Sequence, residues 1–260
     1  MDQILAKLVN LSYELLGVFL PGFIFCLFIL LVWWCTGDLL SVLTSGGIPA
    51  LTVDWLEGFI RKLDVRLGVG LAVPAVLASY FLGNLLVWIS RSGRPDPNAN
   101  SWHLLWSSLF LKIPKPEHSY AVALGPLFDR VREKFTPPGA AGLEWRMFYP
   151  VGKAYLARNV ANSLVTTYQN KYTFHRSLVL GAVVVFWLCT LALFASAVTN
   201  HFMHIAPRWY QLIGLIAFSL FMVNGFTASY RLHWGRFGDT IITELYSLLF
   251  GPERKSNESK

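Results

Sequence analysis

Six histidines and three cysteines are the residues of this 260-residue chain best suited to hold a metal or move a proton. His201 and His204 lie three apart, a spacing that lets two imidazoles share an ion, but no third ligand stands near them in sequence. His175 and His233 sit at corresponding ends of two long apolar runs, so they meet if those runs pair. Interfacial packing is the simpler use of such a pair. Cys26, Cys35 and Cys189 have no CxxC spacing and no neighbouring His, so they read as packing thiols rather than metal ligands or disulfides. Asp129, Arg130, Arg132 and Glu133 form a charge run of the kind that covers a solvated helix face. GxSxG, HExxH and phosphate-loop motifs are absent. A hidden hydrolase would have to use the His, Asp and Ser residues of 91–118, and nothing in their spacing supports one. These patterns therefore nominate no catalytic residue, no metal ligand and no cofactor.

The elements around these residues are mostly apolar. Hydrophobic residues make up 54% of the chain and charged residues only 14%, against roughly 25% in soluble domains. Ser177–Val198 carries no charge over 22 positions, and Trp209–Ser229 none over 21. Each exceeds the ~18 apolar residues that argue for a membrane span, and in lipid such a segment must be helical to satisfy its backbone. Leu15–Cys35 is a third run, read as a retained first span bent at Pro21-Gly22 rather than as a cleaved signal. Gly68–Ser90 is a fourth. There Ala75, Ser79 and Gly83 recur every four residues, a stripe of small side chains that lets another helix approach closely. Asn84 follows and is expected to face a helix partner, because an unpaired amide in hydrocarbon is costly.

Between and beyond the runs, six segments emerge. Residues 1–36 hold a lead and the first span, and 37–67 a linker followed by an amphipathic helix from Asp54 to Leu67. Residues 68–90 are the second span. Residues 91–176 form the one sizeable polar region. Within it, Trp102–Ile113 is apolar but too short to span, and His118–Phe135 reads as a helix interrupted near Gly125-Pro126. Leu156, Val160, Leu164, Tyr168 and Tyr172 then repeat every four residues, a stripe that needs a partner. No Gly or Pro falls between Lys153 and Leu180, so 151–198 is expected to be one helix of about 70 Å. Residues 177–229 are the hairpin of spans three and four. Residues 230–260 are an anchor, a short helix capped by Asp239 and stopped at Gly251-Pro252, and a polar tail.

Charge orients this arrangement. With four spans, Lys7, the twelve Lys and Arg of 91–176 and the five from Arg231 onward share one side. Arg61, Lys62, Arg66 and Arg208 take the other. The positive-inside rule places the first group, and both termini, in the cytoplasm. The same bias accounts for the net charge of +7 without nucleic acid, and it leaves room for anionic lipid headgroups. The spans carry no Asp, Glu, Lys, Arg or His in their interiors, which argues against an ion-coupled transporter.

Leu20-Pro21-Gly22-Phe23, Ser79-Tyr80-Phe81-Leu82-Gly83-Asn84 and Arg176-Ser177 together resemble stretches of small prokaryotic inner-membrane proteins, some encoded beside anti-phage defence genes. The resemblance implies a membrane effector that compromises the inner membrane on infection, and it transfers no catalytic residue.

The expectation is thus an all-α polytopic membrane protein with four transmembrane helices and a small helical cytoplasmic region. Ala75, Ser79, Gly83 and Asn84 would make a helix–helix contact, and Leu156, Val160, Leu164, Tyr168 and Tyr172 a cytoplasmic arm contact. The partners would be the lipid bilayer, further copies of the chain, and a soluble cytoplasmic regulator. A non-enzymatic, self-associating inner-membrane effector, a channel or transporter, and a membrane-bound enzyme without a readable motif all remain open.

Overall fold

The computed structural model describes residues 13–44, 72–90, 109, 120–138, 142–160, 163–203 and 209–251, and every regular element among them is helical. A π-helical stretch, Tyr13–Phe19, runs into α1, Leu20–Thr44. Then come α2, Ala72–Ser90, and a 3-10 turn, Val122–Leu124, that leads into α3, Gly125–Phe135. The chain continues with α4, Trp145–Asn159, α5, Leu164–Met203, and α6, Trp209–Phe250. The amphipathic helix expected over 54–67, the tail, and most of Trp102–Ile113 lie outside the described residues.

Three helical segments are long and apolar enough to cross a membrane: Glu14–Trp33, Leu164–Val198 and Trp209–Phe250. Val73–Ile89 in α2 is a shorter apolar helix. The π-helical stretch sits just ahead of Pro21. A proline lacks an N–H and its ring crowds the carbonyl four residues back, and a widened turn relieves both. Past Cys35 the helix does not stop at Gly37, as a linker would, but continues to Thr44. Thr36 sits on that continuation with its hydroxyl donating to the Val32 carbonyl at 2.9 Å.

The long pair α5 and α6 packs antiparallel and forms the backbone of the molecule. With 40 and 42 residues, they extend about 60 Å, roughly twice a hydrocarbon core of ~30 Å. One end of each therefore projects beyond the apolar stretch. There α3 and α4 pack on α6, and the four helices build a head whose core is aromatic. Phe148 is fully buried and lies edge-on to Phe128 and Phe135, with ring centroids 5.0 and 5.8 Å away. Trp145 and Tyr120 close the cluster.

Three local expectations change here. The 151–198 stretch is not one helix: α4 ends at Asn159 and α5 begins at Leu164, so α4 folds back beside α5. The break needs neither Gly nor Pro, because a carboxylate from another helix supplies the cap. Glu244 of α6 accepts from the Leu164 N–H at 2.9 Å and from the Ser163 hydroxyl at 2.6 Å. The second change concerns α6, which is unbroken through 230–250, so Asp239 does not start a helix of its own. Its carboxylate instead accepts from the Ala121 N–H at 2.7 Å, at the N-cap of the turn leading into α3. Negative charge at a helix N-terminus is favourable, and α6 provides it to two other helices. Third, Pro126 opens α3 rather than interrupting a helix, since a first-turn proline loses no bond the helix would have made. Pro150, by contrast, lies inside α4, which starts six residues earlier than expected.

Candidate functional site

Helix α4 folds back against α5 and α6 with one face: Tyr149, Pro150, Lys153, Ala154 and Ala157, spaced three or four apart. The facing side of α5 presents Gln169, Tyr172, Thr173 and Arg176 at the same helical interval, and α6 adds Trp234 and Phe237. Between them is a cavity of about 580 Å³, within the range of small-molecule sites. The two alanines make the room.

Two cations and no carboxylate line this space among the described residues. Arg176 is only 6% exposed. Its Nε has no hydrogen-bond partner among the described residues, and its guanidinium lies 5.9 Å from the Tyr172 ring centroid. A buried charge without a counter-ion is costly, and one aromatic face recovers only part of that cost. Lys153 is half-buried, and burial alone pushes its ammonium below the usual lysine value. Gln169 Oε1 is likewise buried without a partner. Arg176 is also the last charge before the uncharged run 177–198, so the cavity sits where head meets apolar helix.

Across the same helix pair runs a ladder of rings: Tyr168, His233, His175 and Phe226. The two imidazoles stack at 5.1 Å with planes 8° apart. Tyr168 lies 6.3 Å from His233, and Phe226 lies 5.7 Å from His175. The histidines placed to meet across the hairpin do meet, and they do so as packing rings between aromatic neighbours.

The nominated contact residues divide. On α2, Ser79 and Gly83 pack against the first helix. A Cβ on Gly83 would collide with the Val18 carbonyl, and one on Gly22 with the Ser79 carbonyl. The Ser79 hydroxyl donates to its own Ala75 carbonyl at 2.6 Å and lies 3.8 Å from Cys26 Sγ. Ala75 is exposed, a turn beyond the crossing. Asn84 is exposed too, donating to its own Tyr80 carbonyl at 2.9 Å rather than to another helix. One residue past Gly83 is about 100° round the helix, which takes it off the contact face. Tyr80 reaches Glu14 through its hydroxyl at 2.9 Å.

The arm stripe is split by the reversal. Leu156 is fully buried, but Val160 caps α4 and Leu164, 56% exposed, starts α5. Tyr168 joins the ring ladder, and Tyr172 packs on Trp234 and Phe237 at 5.0 and 5.3 Å. All three cysteines are free. Among the described residues no three His, Cys, Asp or Glu side chains converge as metal ligands, and His204 lies outside them. Leu109, buried, accepts from Trp187 Nε1 at 2.6 Å, which puts it beside the uncharged part of α5.

The cavity was missed in sequence because Lys153 and Arg176 are 23 positions apart and face each other only because α4 runs back beside α5. The available signal was the three-and-four spacing of Gln169, Thr173 and Arg176, set against the neighbouring tyrosine stripe. Comparisons with protein-family models, curated proteins and solved structures find no match to this chain.

Proposed function

We propose that this chain is a non-enzymatic inner-membrane effector in which a cytoplasmic helical head controls a bundle of four spans. The carrying observation is continuity: α5 and α6 pass from the head into the uncharged stretches without a break. A tilt of the head about its base would move both spans, because a helix is stiff over that distance. The two α6 carboxylates tie the starts of α3 and α5 to the same lever. In the four-span reading α2 is the second span, with both termini and 91–176 cytoplasmic. The first helix agrees with that sidedness, since Leu16 near its start lies beside Thr167, Asn170 and Phe174 at the base of the head. Outward-facing Phe81, Leu191, Phe194 and Phe221 suit lipid or a second copy, so activation would proceed by self-association. Phage infection as the trigger rests on the resemblance of the Leu20–Phe23 and Ser79–Asn84 stretches.

The test interrupts the lever. Gly-Ser-Gly insertions made together between Arg176 and Ser177 of α5 and between Arg231 and Leu232 of α6 leave the spans intact and uncouple the head. Wild type and variant are expressed in a bacterial host and challenged with a panel of phages, while membrane potential, growth and detergent-particle mass are recorded. The proposal expects depolarisation and a larger particle in infected wild type, and neither in the variant, with insertion unchanged. A wild type that keeps its membrane potential and particle mass throughout infection overturns the effector reading and favours a transporter or enzyme.

A further inference from the structure

We propose that the cavity between α4, α5 and α6 binds the phosphate group of an anionic phosphate ester, held by Arg176 and Lys153. Four observations converge on this ligand chemistry. The buried Arg176 guanidinium has a free Nε and no ion pair among the described residues. Lys153 stands on the opposite wall, so the two cations approach an occupant from different helices. Among the described residues the lining carries no carboxylate that would compete for them. Gln169 and Thr173 add short polar groups on the Arg176 face. A phosphate monoester or diester accepts bonds from guanidinium and ammonium together, and such charge-assisted bonds are the strong ones. The remaining wall, Tyr172 and Trp234, is aromatic and takes the organic part of the ester.

Two sources supply this chemistry. Arg176 borders the uncharged run, which suits a lipid headgroup entering from the membrane surface. The volume of about 580 Å³ also admits a soluble nucleotide. Either way the occupant would bridge α4 to α5 and α6, and so set the angle of the head. That consequence rests on the effector reading; the binding does not.

The full-length chain is reconstituted in phosphatidylcholine nanodiscs and titrated with inorganic phosphate and with adenosine monophosphate, reading tryptophan fluorescence and thermal unfolding. A parallel arm uses nanodiscs with increasing phosphatidylglycerol, reading unfolding temperature and, by native mass spectrometry, retained lipid. Saturable binding is expected in one arm, and that arm names the source. Lys153→Gln and Arg176→Gln should each weaken it roughly tenfold or more, the loss of one charge-assisted bond. Arg176→Lys should recover part of it, and the exposed Arg146→Gln should bind as wild type. Because Arg176 is buried, its variant counts only together with Lys153→Gln, whose half-exposed site tolerates the change. No saturable binding in either arm, or wild-type binding by Lys153→Gln, overturns the proposal. No phage is present in these measurements, so their failure is separable from that of the effector reading.

Discussion

The first helix pair and the head are held together by opposite means. Where the first helix crosses α2, contact depends on what is missing: Gly22 meets the backbone of Ser79, and Gly83 meets the backbone of Val18. In the head, contact depends on bulk, with Phe148, Trp145, Tyr172, Trp234 and Phe237 filling the space between helices. The difference is the one the four-span proposal expects, with this pair in lipid and the head in water. Lipid tails are as apolar as leucine, so burying a large side chain between two spans removes little from water, and close van der Waals approach must do the joining. In water each buried aromatic contributes its transfer free energy, so large rings are the efficient choice.

That contrast gives a pair of swapped substitutions, which should have the largest effects. Phe148→Ala empties the centre of the head and should cost about 3–5 kcal/mol there, seen as a lost thermal transition with membrane insertion retained. Gly83→Ile does the reverse: added bulk drives the first helix off α2, so cross-linking between cysteines placed on the two helices should fall to background. The exposed Phe81→Ala should leave that cross-link unchanged. If Phe148→Ala is silent while Phe81→Ala is not, the assignment of bulk to the head and small residues to the spans is wrong.

An intermediate effect is expected where α6 caps its neighbours. Glu244→Ala removes the acceptor for the Leu164 N–H and the Ser163 hydroxyl, a loss of about 1–2 kcal/mol. Amide hydrogen exchange should then quicken in the first turn of α5 and leave the far end of α5 as it was. Uniform quickening along α5 would mean that Glu244 holds the whole helix pair rather than one terminus.

The same capping explains where sequence reading reached and where it stopped. Long uncharged runs are a local property, and the apolar helices were legible from them. The pairing of Ser79 and Gly83 with another helix was legible from their spacing, though Ala75 and Asn84 were not separable from them without the crossing angle. His175 and His233 were matched by position in the hairpin. The separation of α4 from α5 was invisible because the cap of α5 comes from Glu244, about 80 residues later, and a local reading can see only Gly, Pro and neighbouring side chains. Asp239 shows the same error in mirror image: a residue of capping type that caps a helix, but not its own. The cavity inherits this blindness, since it exists only once α4 has turned back.

The smallest effect should be a gain. Tyr230 lies where the spans give way to the head and is fully buried, yet its hydroxyl has no hydrogen-bond partner among the described residues. Its ring is 6.4 Å from that of Tyr172, and the aromatic body fits either composition of wall. An unsatisfied buried hydroxyl costs about 1–3 kcal/mol of desolvation, and Phe keeps the ring while removing that cost. Tyr230→Phe should therefore leave the protein as stable or more stable by up to about 1 kcal/mol, read as an equal or higher unfolding temperature in phosphatidylcholine nanodiscs. Tyr230→Leu, which changes the ring, should be destabilising. A fall in stability for Tyr230→Phe would mean that the hydroxyl is bonded in the folded protein. If that fall appeared only with phosphatidylglycerol or soluble phosphate present, the hydroxyl would belong to the ligand site that Arg176 borders. The contrast between a bulk-packed head and a backbone-packed span pair would then need a polar seam at their junction.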